Sequence, residues 1–234
     1  MKKLWQFRWA LRSLLQSIWF NFHYLPFSQA VRLPILLYKP KLLSCKGKVR
    51  IDGKVVPGMV RLGQMQVSLC PNDGIVFENH GGTLVFKGLC IIGNNSFVSV
   101  GEYGELSFGA DFKAVAIQLA CYRSITFGER VRIGWNCQVT DTDFHKLKVV
   151  AEDGTVSDAK GTAEVRFGDN VWMASHCLVQ KGTSLPAYTV VAAGSLVNRH
   201  YDIPEKSLLA GRPAVCKRTG FYRDLTDDVI EYGG

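Results

Sequence analysis

The C-terminal third of the chain repeats apolar residues at intervals of six. Counting from residue 167, every sixth residue is apolar, in the series Phe167, Met173, Val179, Leu185, Val191, Val197, Ile203 and Leu209. Most residues four positions further on are small or β-branched, namely Val171, Cys177, Thr183, Thr189, Ser195 and Ser207, with Tyr201 and Pro213 as exceptions. A period of six fits neither a helix nor plain strand alternation, but one short strand and one corner per repeat, wound into a solenoid.

Upstream segments extend this pattern less regularly. The same spacing occurs at Phe127, Ile133 and Val139. Corners require backbone angles that Gly, Asn and Asp tolerate, and the chain supplies GNN at 93–95 and GDN at 168–170. We therefore predict an all-β solenoid over residues 49–218, followed by a C-terminal tail over 219–234.

One interruption of the repeat is visible in the sequence. Val139 and Phe167 are 28 positions apart, which is not a multiple of six. We predict that the segment at about 145–164 leaves the solenoid as an excursion loop, with His145 at its root. Loops that leave a rigid scaffold in this way are common sites of function.

The N-terminal segment, residues 1–48, is predicted as a helical and irregular extension. A helical spacing of apolar residues runs through Leu4, Phe7, Leu11, Leu15, Ile18 and Phe22, accompanied by Trp5, Trp9, Trp19, Lys2, Lys3, Arg8 and Arg12. This composition is typical of a helix lying in a membrane interface, with residues 1–25 in contact with lipid, and equally of a helix packed on its own domain or on a neighbouring subunit. Arg8 and Arg12 argue against a signal peptide or a spanning helix. Pro26, Pro34 and Pro40 argue that the helix ends in the mid-twenties.

Composition narrows the classes of partner. The 234-residue chain has a formal charge of +8, which favours anionic partners, while no nucleic-acid-binding motif is present. Its seven cysteines are scattered without CxxC spacing, which is typical of reduced thiols in a cytosolic protein and disfavours a disulfide framework or a thiolate metal site. We expect a cytoplasmic protein, either free or bound to the inner face of the membrane.

Three stretches resemble the hexapeptide-repeat acyltransferases, especially O-acetyltransferases that act on sugars and cell-envelope polysaccharides. They are VRIGWNCQVTDTDFH, FGDNVWMASHCLV and VVAAGSLVNRHYDIPEKSLLAGRPAVCKR. The resemblance implies a left-handed parallel β-helix, a homotrimer, and acetyl-CoA bound in a groove between neighbouring subunits.

The resemblance also implies roles for individual residues. His145 matches the general base. Ser175, Ala193, Asn198 and Arg199 match contacts to the pantetheine arm of the cofactor. Trp172 matches the wall beside the thioester, and Arg218 matches the residue at the nucleotide phosphates. We expect Trp135 and Asn136 to bind the acceptor. The chain departs from the sequence pattern of this family at two places. These are the MAS sequence at 173–175 and an extra residue at His200–Tyr201, before the Asp-Ile-Pro sequence.

An imidazole suits the expected chemistry. Its pKa is ordinarily near ~6.5, so the neutral ring accepts a proton from a hydroxyl that attacks a thioester. A carboxylate or a carbonyl should orient the other ring nitrogen, and Asp141 and Asp143 are close in sequence, although both also suit corners. No serine nucleophile is required, which predicts direct transfer in a ternary complex.

Two other classes of function fit the same fold. A zinc enzyme similar to carbonic anhydrase would need histidines such as His145 and His176 to converge between subunits, but the HxxxxH spacing of such sites is absent. A trimeric scaffold without catalytic activity would also account for the repeat. We expect no metal, and we expect a sugar or polysaccharide acceptor.

Overall fold

The computed structural model describes residues 2–67 and 71–226, with side chains from Ala10 onward in the first helix. Two helices, α1 (Lys2–Tyr24) and α2 (Phe27–Ala30), come first. Successive coils then contain, in chain order, β1 (Ile35–Leu37), β2 (Pro40–Cys45), β3 (Lys48–Ile51); β4 (Val60–Gln64), β5 (Ile75–Asn79), β6 (Thr83–Phe86); β7 (Cys90–Gly93), β8 (Ser96–Val100), β9 (Glu105–Phe108); β10 (Phe112–Ala114), β11 (Ile117–Cys121), β12 (Ser124–Phe127).

The later coils are shorter and one contains an excursion. The strands are β13 (Arg132–Ile133), β14 (Cys137–Thr140), an excursion hairpin of β15 (Lys148–Val150) and β16 (Val156–Asp158), and β17 (Val165–Phe167); β18 (Trp172–Met173), β19 (Leu178–Val179), β20 (Ser184–Leu185); β21 (Val190–Val191), β22 (Leu196–Val197); β23 (Ser207–Gly211) and β24 (Ala214–Thr219).

Equivalent strands of successive coils pair in parallel and form three sheets. We call them sheet A (β1, β4, β7, β10, β13, β18, β21, β23, with β24 at its end), sheet B (β2, β5, β8, β11, β14, β19, β22) and sheet C (β3, β6, β9, β12, β17, β20). Trp172 lies opposite Val190, and Val190 lies opposite Leu208, so these coils contain three six-residue repeats each. This architecture confirms the predicted parallel β-helix with an N-terminal helix and one excursion.

The predicted start of the solenoid at residue 49 is wrong. β1 already pairs with β4 along Ile35–Leu37, and β2 and β3 complete the first coil. The six-residue pattern missed this coil because the early coils are longer and contain register shifts, for example between Leu42 and Ser44.

A column of phenylalanines fills the interior along sheet C. Phe86, Phe108, Phe127 and Phe167 lie on successive coils, with ring centroids 5.5, 5.4 and 4.7 Å apart, and all four are buried. Parallel in-register pairing places identical side chains directly above one another, which allows this stacking. Aromatic packing therefore supports sheet C in the coils on both sides of the excursion.

The six-residue apolar pattern holds until Leu185 in sheet C and then shifts. Seven of the eight predicted interior residues are buried, but Ile203 is only partly buried. Tyr201 is buried instead, because His200 bridges to Ser184 and the Tyr201 N–H donates to the Ser184 carbonyl at 3.0 Å. The segment between Leu185 and Tyr201 is shorter than a full coil, so the residue at the interior position changes.

The small residues of the repeat have a common hydrogen-bonding role. Four hydroxyls donate to the carbonyl three residues earlier, at 2.7 to 2.8 Å, from Thr183, Thr189, Ser195 and Ser207. In the turns between sheets A and B, the thiols of Cys137 and Cys177 donate to the carbonyls of Ala174 and Ala192. These contacts satisfy polar atoms inside the corners, as buried polar groups require.

The other buried cysteines serve as packing residues, as predicted. Burial raises the pKa of the Cys90 and Cys121 thiols, so both are protonated at neutral pH. The six cysteines among the described residues are all free, and Cys70 lies outside them.

Helix α1 covers the free edge of the first strand of sheet A. Ser13, Ser17 and Asn21 follow one another at intervals of four residues, and their side chains accept hydrogen bonds from the N–H groups of Lys39 (3.0 Å), Leu37 (2.9 Å) and Ile35 (3.1 Å). Asn21 also donates to the Ile35 carbonyl at 2.7 Å. An uncovered edge strand would invite pairing with other chains, so α1 acts as a cap on the β-helix.

The apolar stripe of α1 consequently faces away from the coil. Leu11, Leu15, Trp19 and Phe22 are 46% to 58% exposed, whereas Phe20 on the opposite side is buried against Phe77. The helix packs on its own domain, but through its polar side chains rather than through the predicted apolar stripe. The side chains of Leu4, Trp5, Phe7 and Trp9 lie outside the described residues. Among the described residues, no helix combines the length and apolar content needed to cross a bilayer.

The C-terminal end is closed by backbone pairing. β24 folds back antiparallel on β23, and the following residues return along sheet A. The Phe221 N–H donates to the Lys206 carbonyl at 2.7 Å, and the Tyr222 ring meets the Tyr188 ring edge-on. The predicted tail at 219–234 therefore packs on the β-helix as far as it is described.

Replacing Asn21 should destabilise the whole fold. Asn21→Ala leaves the buried N–H and C=O of Ile35 without their partners, at about 1–3 kcal/mol for each group. We expect urea denaturation to give a free energy of unfolding lower by about 2–4 kcal/mol. Asn198→Ala is the matched control, because Asn198 is exposed and its loss should change stability by less than about 0.5 kcal/mol. Equal effects of the two substitutions would contradict the capping role of α1.

Candidate active site

The excursion replaces the corner between sheets B and C in the fifth coil. It leaves at Thr140, the last residue of β14, and rejoins the coil at Val165 in β17. Its two ends are held together, because the Asp143 N–H donates to the Gly161 carbonyl at 2.9 Å and the Ala163 N–H donates to the Asp141 carbonyl at 3.0 Å. The hairpin of β15 and β16 beyond this neck is exposed along its full length.

Asp141 supports the neck of the excursion. Its side chain is fully buried, and its two carboxylate oxygens accept the N–H groups of Tyr122, Arg123 and Ser124 at 2.7, 2.8 and 2.7 Å. These three residues form the corner of the preceding coil, so Asp141 joins one corner to the next. These three hydrogen bonds give Asp141 a structural part in the neck and leave its predicted orienting role without support.

Asp143 forms an ion pair with Lys181 from the sixth coil. The same ammonium group donates to the Lys160 carbonyl at 2.6 Å, so Lys181 ties both strands of the neck to the coil beneath. The Asp143 carboxylate has no contact with the His145 ring among the described residues. The structure thus gives Asp143 a part in shaping the loop and leaves its predicted orienting role without support.

His145 is presented to the outside of the molecule. Its side chain is exposed, and its ring forms no hydrogen bond with the described residues of its own chain. Phe144 precedes it with a left-handed φ of 61°, and the Phe144 ring contacts the Tyr122 ring edge-on, with centroids 5.5 Å apart. The two aromatic rings and the imidazole are all exposed at the B–C corner, the edge where sheets B and C meet.

A groove of about 790 Å³ lies at the A–B corner, the edge where sheets A and B meet. Turns of three successive coils and the C-terminal tail form its walls. The lining residues are Gln66, Asp111, Lys113, Val115, Arg132, Ile133, Gly134, Trp135, Trp172, Ala174, Ser175, Arg223 and Leu225. Three of the predicted ligand-binding residues, Trp135, Trp172 and Ser175, are therefore brought together in this groove.

The groove is positively charged. Among the described lining residues, three are basic, Lys113, Arg132 and Arg223, and one is acidic, Asp111. The Asp111 carboxylate pairs with Arg132 at 2.5 Å and with Lys113 at 3.4 Å. The Arg223 guanidinium lies over the Trp172 ring, 5.3 Å from its centroid. A surplus of basic side chains beside indole rings suits a ligand that combines phosphate groups with an apolar part.

Ala193 and Asn136 lie at the same A–B corner, on the turns on either side of the one that contains Ser175. The Gly194 N–H donates to the Ser175 carbonyl at 3.0 Å, and the His176 N–H donates to the Trp135 carbonyl at 3.0 Å, so the turns stack in register. Asn136 and His176 have φ of 56° and 60°, and both are exposed. These two residues hold the left-handed position of the turn, which accounts for their presence without a chemical role.

The remaining predicted cofactor contacts lie elsewhere. Asn198 and Arg199 follow β22 and belong to the B–C corner, where Arg199 donates to the Ala214 carbonyl at 3.2 Å. Arg218 lies on β24 at the end of sheet A, 5.6 Å from the Phe221 ring centroid. The predicted cofactor residues are consequently divided between two edges of the prism.

The same division separates His145 from the groove. His145 lies at the B–C corner, whereas Trp135, Trp172 and Ser175 lie at the A–B corner, and sheet B stands between the two edges. One chain therefore does not bring the imidazole and the groove together, so a site using both would need a second copy. Among the described residues, no three His, Cys, Asp or Glu side chains are grouped closely enough to hold a metal ion.

Several residues of these surfaces were not predicted from the sequence. Lys113 and Arg132 lie on coils outside the resembling motifs or at their edge, and Arg223 reaches the groove only because the tail folds back. Tyr122 and Lys181 lie far from His145 in sequence but on adjacent coils. The sequence signal that could have found the last two is the coil spacing itself, which aligns corners of neighbouring coils.

Comparisons with known proteins give partial matches. No family model matches the chain. It is 24% identical over 136 residues to galactoside O-acetyltransferase of Escherichia coli (strain K12), covering 56% of this chain and 64% of that protein. It is 29% identical over 133 residues to galactoside O-acetyltransferase of Lactococcus lactis subsp. lactis (strain IL1403), covering 54% of this chain and 61% of that protein. The chain thus matches less than two thirds of the length of either relative.

A comparison of folds gives distant neighbours. The polySia specific acetyltransferase NeuO has a TM-score of 0.45 and 14% identity, with 82% of this chain and 91% of that chain covered.

Asp141 provides a test of the neck. Asp141→Asn removes the charge that three backbone N–H groups share and turns an amide group toward at least one donor. We expect the free energy of unfolding to fall by about 3 kcal/mol or more, because hydrogen bonds to charged groups contribute about 1.5–3 kcal/mol each. Asp143→Asn, which weakens a partly exposed ion pair, should cost at most about 1 kcal/mol. Thermal and urea unfolding of both variants would decide, and a stable Asp141→Asn protein would contradict the structural role.

Proposed function

We propose that this chain, which resembles the hexapeptide-repeat acyltransferases, is an acetyl-CoA-dependent O-acetyltransferase. Its acceptor would be a hydroxyl group of a sugar or of a cell-envelope polysaccharide precursor. Two of the relatives that the chain matches are galactoside O-acetyltransferases, which supports transfer to a sugar hydroxyl.

The observation that carries the proposal is the position of His145. The coil is interrupted at one corner, the neck of the interruption is fixed by Asp141 and Lys181, and the residue presented there is an exposed imidazole. A rigid neck around a solvent-facing base is what a proton acceptor for an incoming substrate requires.

The reaction follows from ordinary acyl-transfer chemistry. The neutral imidazole of His145 takes the proton of the acceptor hydroxyl as its oxygen attacks the thioester carbonyl carbon. Backbone N–H groups of the surrounding turns stabilise the resulting oxyanion. The carbon–sulfur bond then breaks, the thiolate leaves with the electron pair, and the imidazolium returns a proton to it. No covalent enzyme intermediate is needed, so both substrates are bound together.

Acetyl-CoA fits the groove at the A–B corner. Lys113, Arg132 and Arg223 supply positive charge for phosphates, while Trp172 and Trp135 supply flat apolar walls for the pantetheine arm. Ser175 and Ala193 lie on stacked turns that offer backbone groups along the same edge. The predicted contacts of Asn198, Arg199 and Arg218 would add residues from the B–C corner and the C-terminal strand. Free cysteines throughout the described residues fit a cytoplasmic site of action, where the donor is available.

The separation of the two corners supports a homotrimer with shared sites. A groove at the A–B corner of one chain and an imidazole at the B–C corner of another would form one complete cleft. Such head-to-tail contacts close into a ring, and each chain then contributes one base and one groove. Tyr122 and Phe144 would stand beside the base as a wall for the acceptor, and Trp135 and Asn136 would approach it from the groove.

Replacing His145 should abolish turnover without abolishing donor binding. For His145→Ala we expect acetyl transfer to a panel of mono- and oligosaccharides to fall by about 10²–10⁴-fold, the usual contribution of a general base. Stabilisation by acetyl-CoA in a thermal-shift assay should persist. His80→Ala is the matched control, since His80 is an exposed corner histidine that pairs with Glu78, and it should retain turnover. Full activity of His145→Ala would contradict the base assignment.

A complementation experiment tests the shared site. Ser175→Trp should block the groove, so neither it nor His145→Ala should be active alone. Co-expressed chains that assemble at random should recover about a quarter of wild-type activity, because that fraction of clefts combines an intact base with an intact groove. A mixture without activity would show that base and groove do not come from different chains.

Stoichiometric zinc in the purified protein would instead favour the metal-enzyme alternative. If acetyl-CoA does not stabilise the protein, the scaffold without catalytic activity would be favoured.

A further inference from the structure

The net positive charge of the protein comes from the N-terminal part of the chain. The first 58 residues, which form α1, α2 and the first coil, contain eleven Lys and Arg and a single acidic residue, Asp52, for a formal charge of +10. The remaining 176 residues contain seventeen basic and nineteen acidic residues, for a formal charge of −2. We call the described part of this end, residues 10–58, the N-terminal surface.

The most exposed apolar side chains of α1 and α2 lie on the same surface. Leu11, Leu14, Leu15, Trp19 and Phe22 are each about half exposed on α1, and Phe27 at the start of α2 is 74% exposed. Their outward direction is fixed, since Ser13, Ser17 and Asn21 hold the opposite face of α1 against β1. Rotation of the helix to bury the apolar stripe would break these hydrogen bonds and expose Phe20.

Two cavities beside α1 continue the same combination of apolar and basic character. One, of about 560 Å³, lies between α1 and strands β1 and β4, with Leu14, Leu36 and Met65 among its walls. The adjoining one, of about 450 Å³, is lined by Arg12, Lys39 and Lys41 together with Asp73. Apolar and cationic groups thus alternate across the surface at short range.

We propose that the N-terminal surface binds the interface of an anionic lipid bilayer, with the outward stripe of α1 inserted among the acyl chains and the surrounding Lys and Arg side chains at the phosphate level. A helix with exposed leucines, an aromatic residue at its edge and flanking basic side chains has the composition of an interfacial anchor. Basic clusters add attraction to anionic lipids, which falls off over a Debye length.

The charge of the N-terminal surface favours an anionic bilayer over a second copy of the chain as its binding partner. In a symmetric contact the same patch meets itself, so two surfaces with a formal charge of +7 each would be brought together. The rest of the molecule has a formal charge of −2 spread over 176 residues, which offers little complementary charge for a head-to-tail contact. Anionic lipid supplies both the negative charge and the apolar layer that the surface lacks.

Vesicle co-sedimentation of the full chain tests the apolar part. We expect binding to vesicles of phosphatidylcholine with about 30% phosphatidylglycerol and little binding to phosphatidylcholine alone. Leu15→Ser/Trp19→Ser should weaken binding by about tenfold or more, because both side chains leave the acyl region. The matched control is Val149→Ser/Val156→Ser, which removes two exposed apolar side chains from the excursion hairpin and should bind like the wild type.

A charge-reversal pair tests the electrostatic part. Lys41→Glu/Lys46→Glu changes two exposed residues of the N-terminal surface and should reduce binding severalfold at low salt and less at high salt. Lys87→Glu/Lys217→Glu makes the same change of charge on exposed residues outside it and should have a small effect. Circular dichroism and thermal unfolding identify any variant that fails to fold. If one of the two N-terminal double variants does not fold, vesicle binding by the other one tests the proposal.

Three outcomes would overturn the proposal. They are equal binding to neutral and anionic vesicles, binding that both N-terminal variants leave unchanged, and self-association of the wild type that Leu15→Ser/Trp19→Ser removes while vesicle binding is absent. The last outcome would assign the stripe to a contact between copies of the chain.

Discussion

Backbone hydrogen bonding between successive coils is the constraint on which the rest of this structure depends. Each strand is only two to six residues long and is stable because a strand of the next coil pairs with it in parallel. A stack of this kind has two open ends, and both are closed by the chain itself. Ser13, Ser17 and Asn21 of α1 cover the first strand, and β24 covers the last.

In-register stacking also determines where chemistry can occur. Corners of successive coils lie in columns, so residues far apart in sequence become neighbours, as Asp141 does with the corner at 122–124 and Lys181 with the excursion neck. The excursion is therefore anchored by the coils above and below it. The exposed imidazole of His145 is held on this neck at one edge of the prism, and the basic groove lies at another edge. A complete proposed site consequently depends on assembly.

The N-terminal helix links the stability of the fold to its surface chemistry. Because polar side chains of α1 are used to cap β1, its apolar side chains are left facing outward. The sequence pattern left two arrangements open, a helix packed through its apolar stripe and a helix with that stripe in a membrane interface. In this structure the polar side chains of α1 form hydrogen bonds with the backbone at the edge of the first strand, and these bonds determine which face of the helix is buried.

The sequence by itself determined the solenoid, its corners and the interruption at His145, because a six-residue period and left-handed corner residues such as Asn95 and Asn170 are local properties of the chain. It could not determine the irregular first coils, the replacement of Ile203 by Tyr201 in the core, or the engagement of Asp141 by three backbone N–H groups. Those features depend on which coil lies against which. The tertiary structure alone decided that the apolar stripe of α1 faces outward, because the face a helix buries is set by the hydrogen-bonding demand of the strand beneath it.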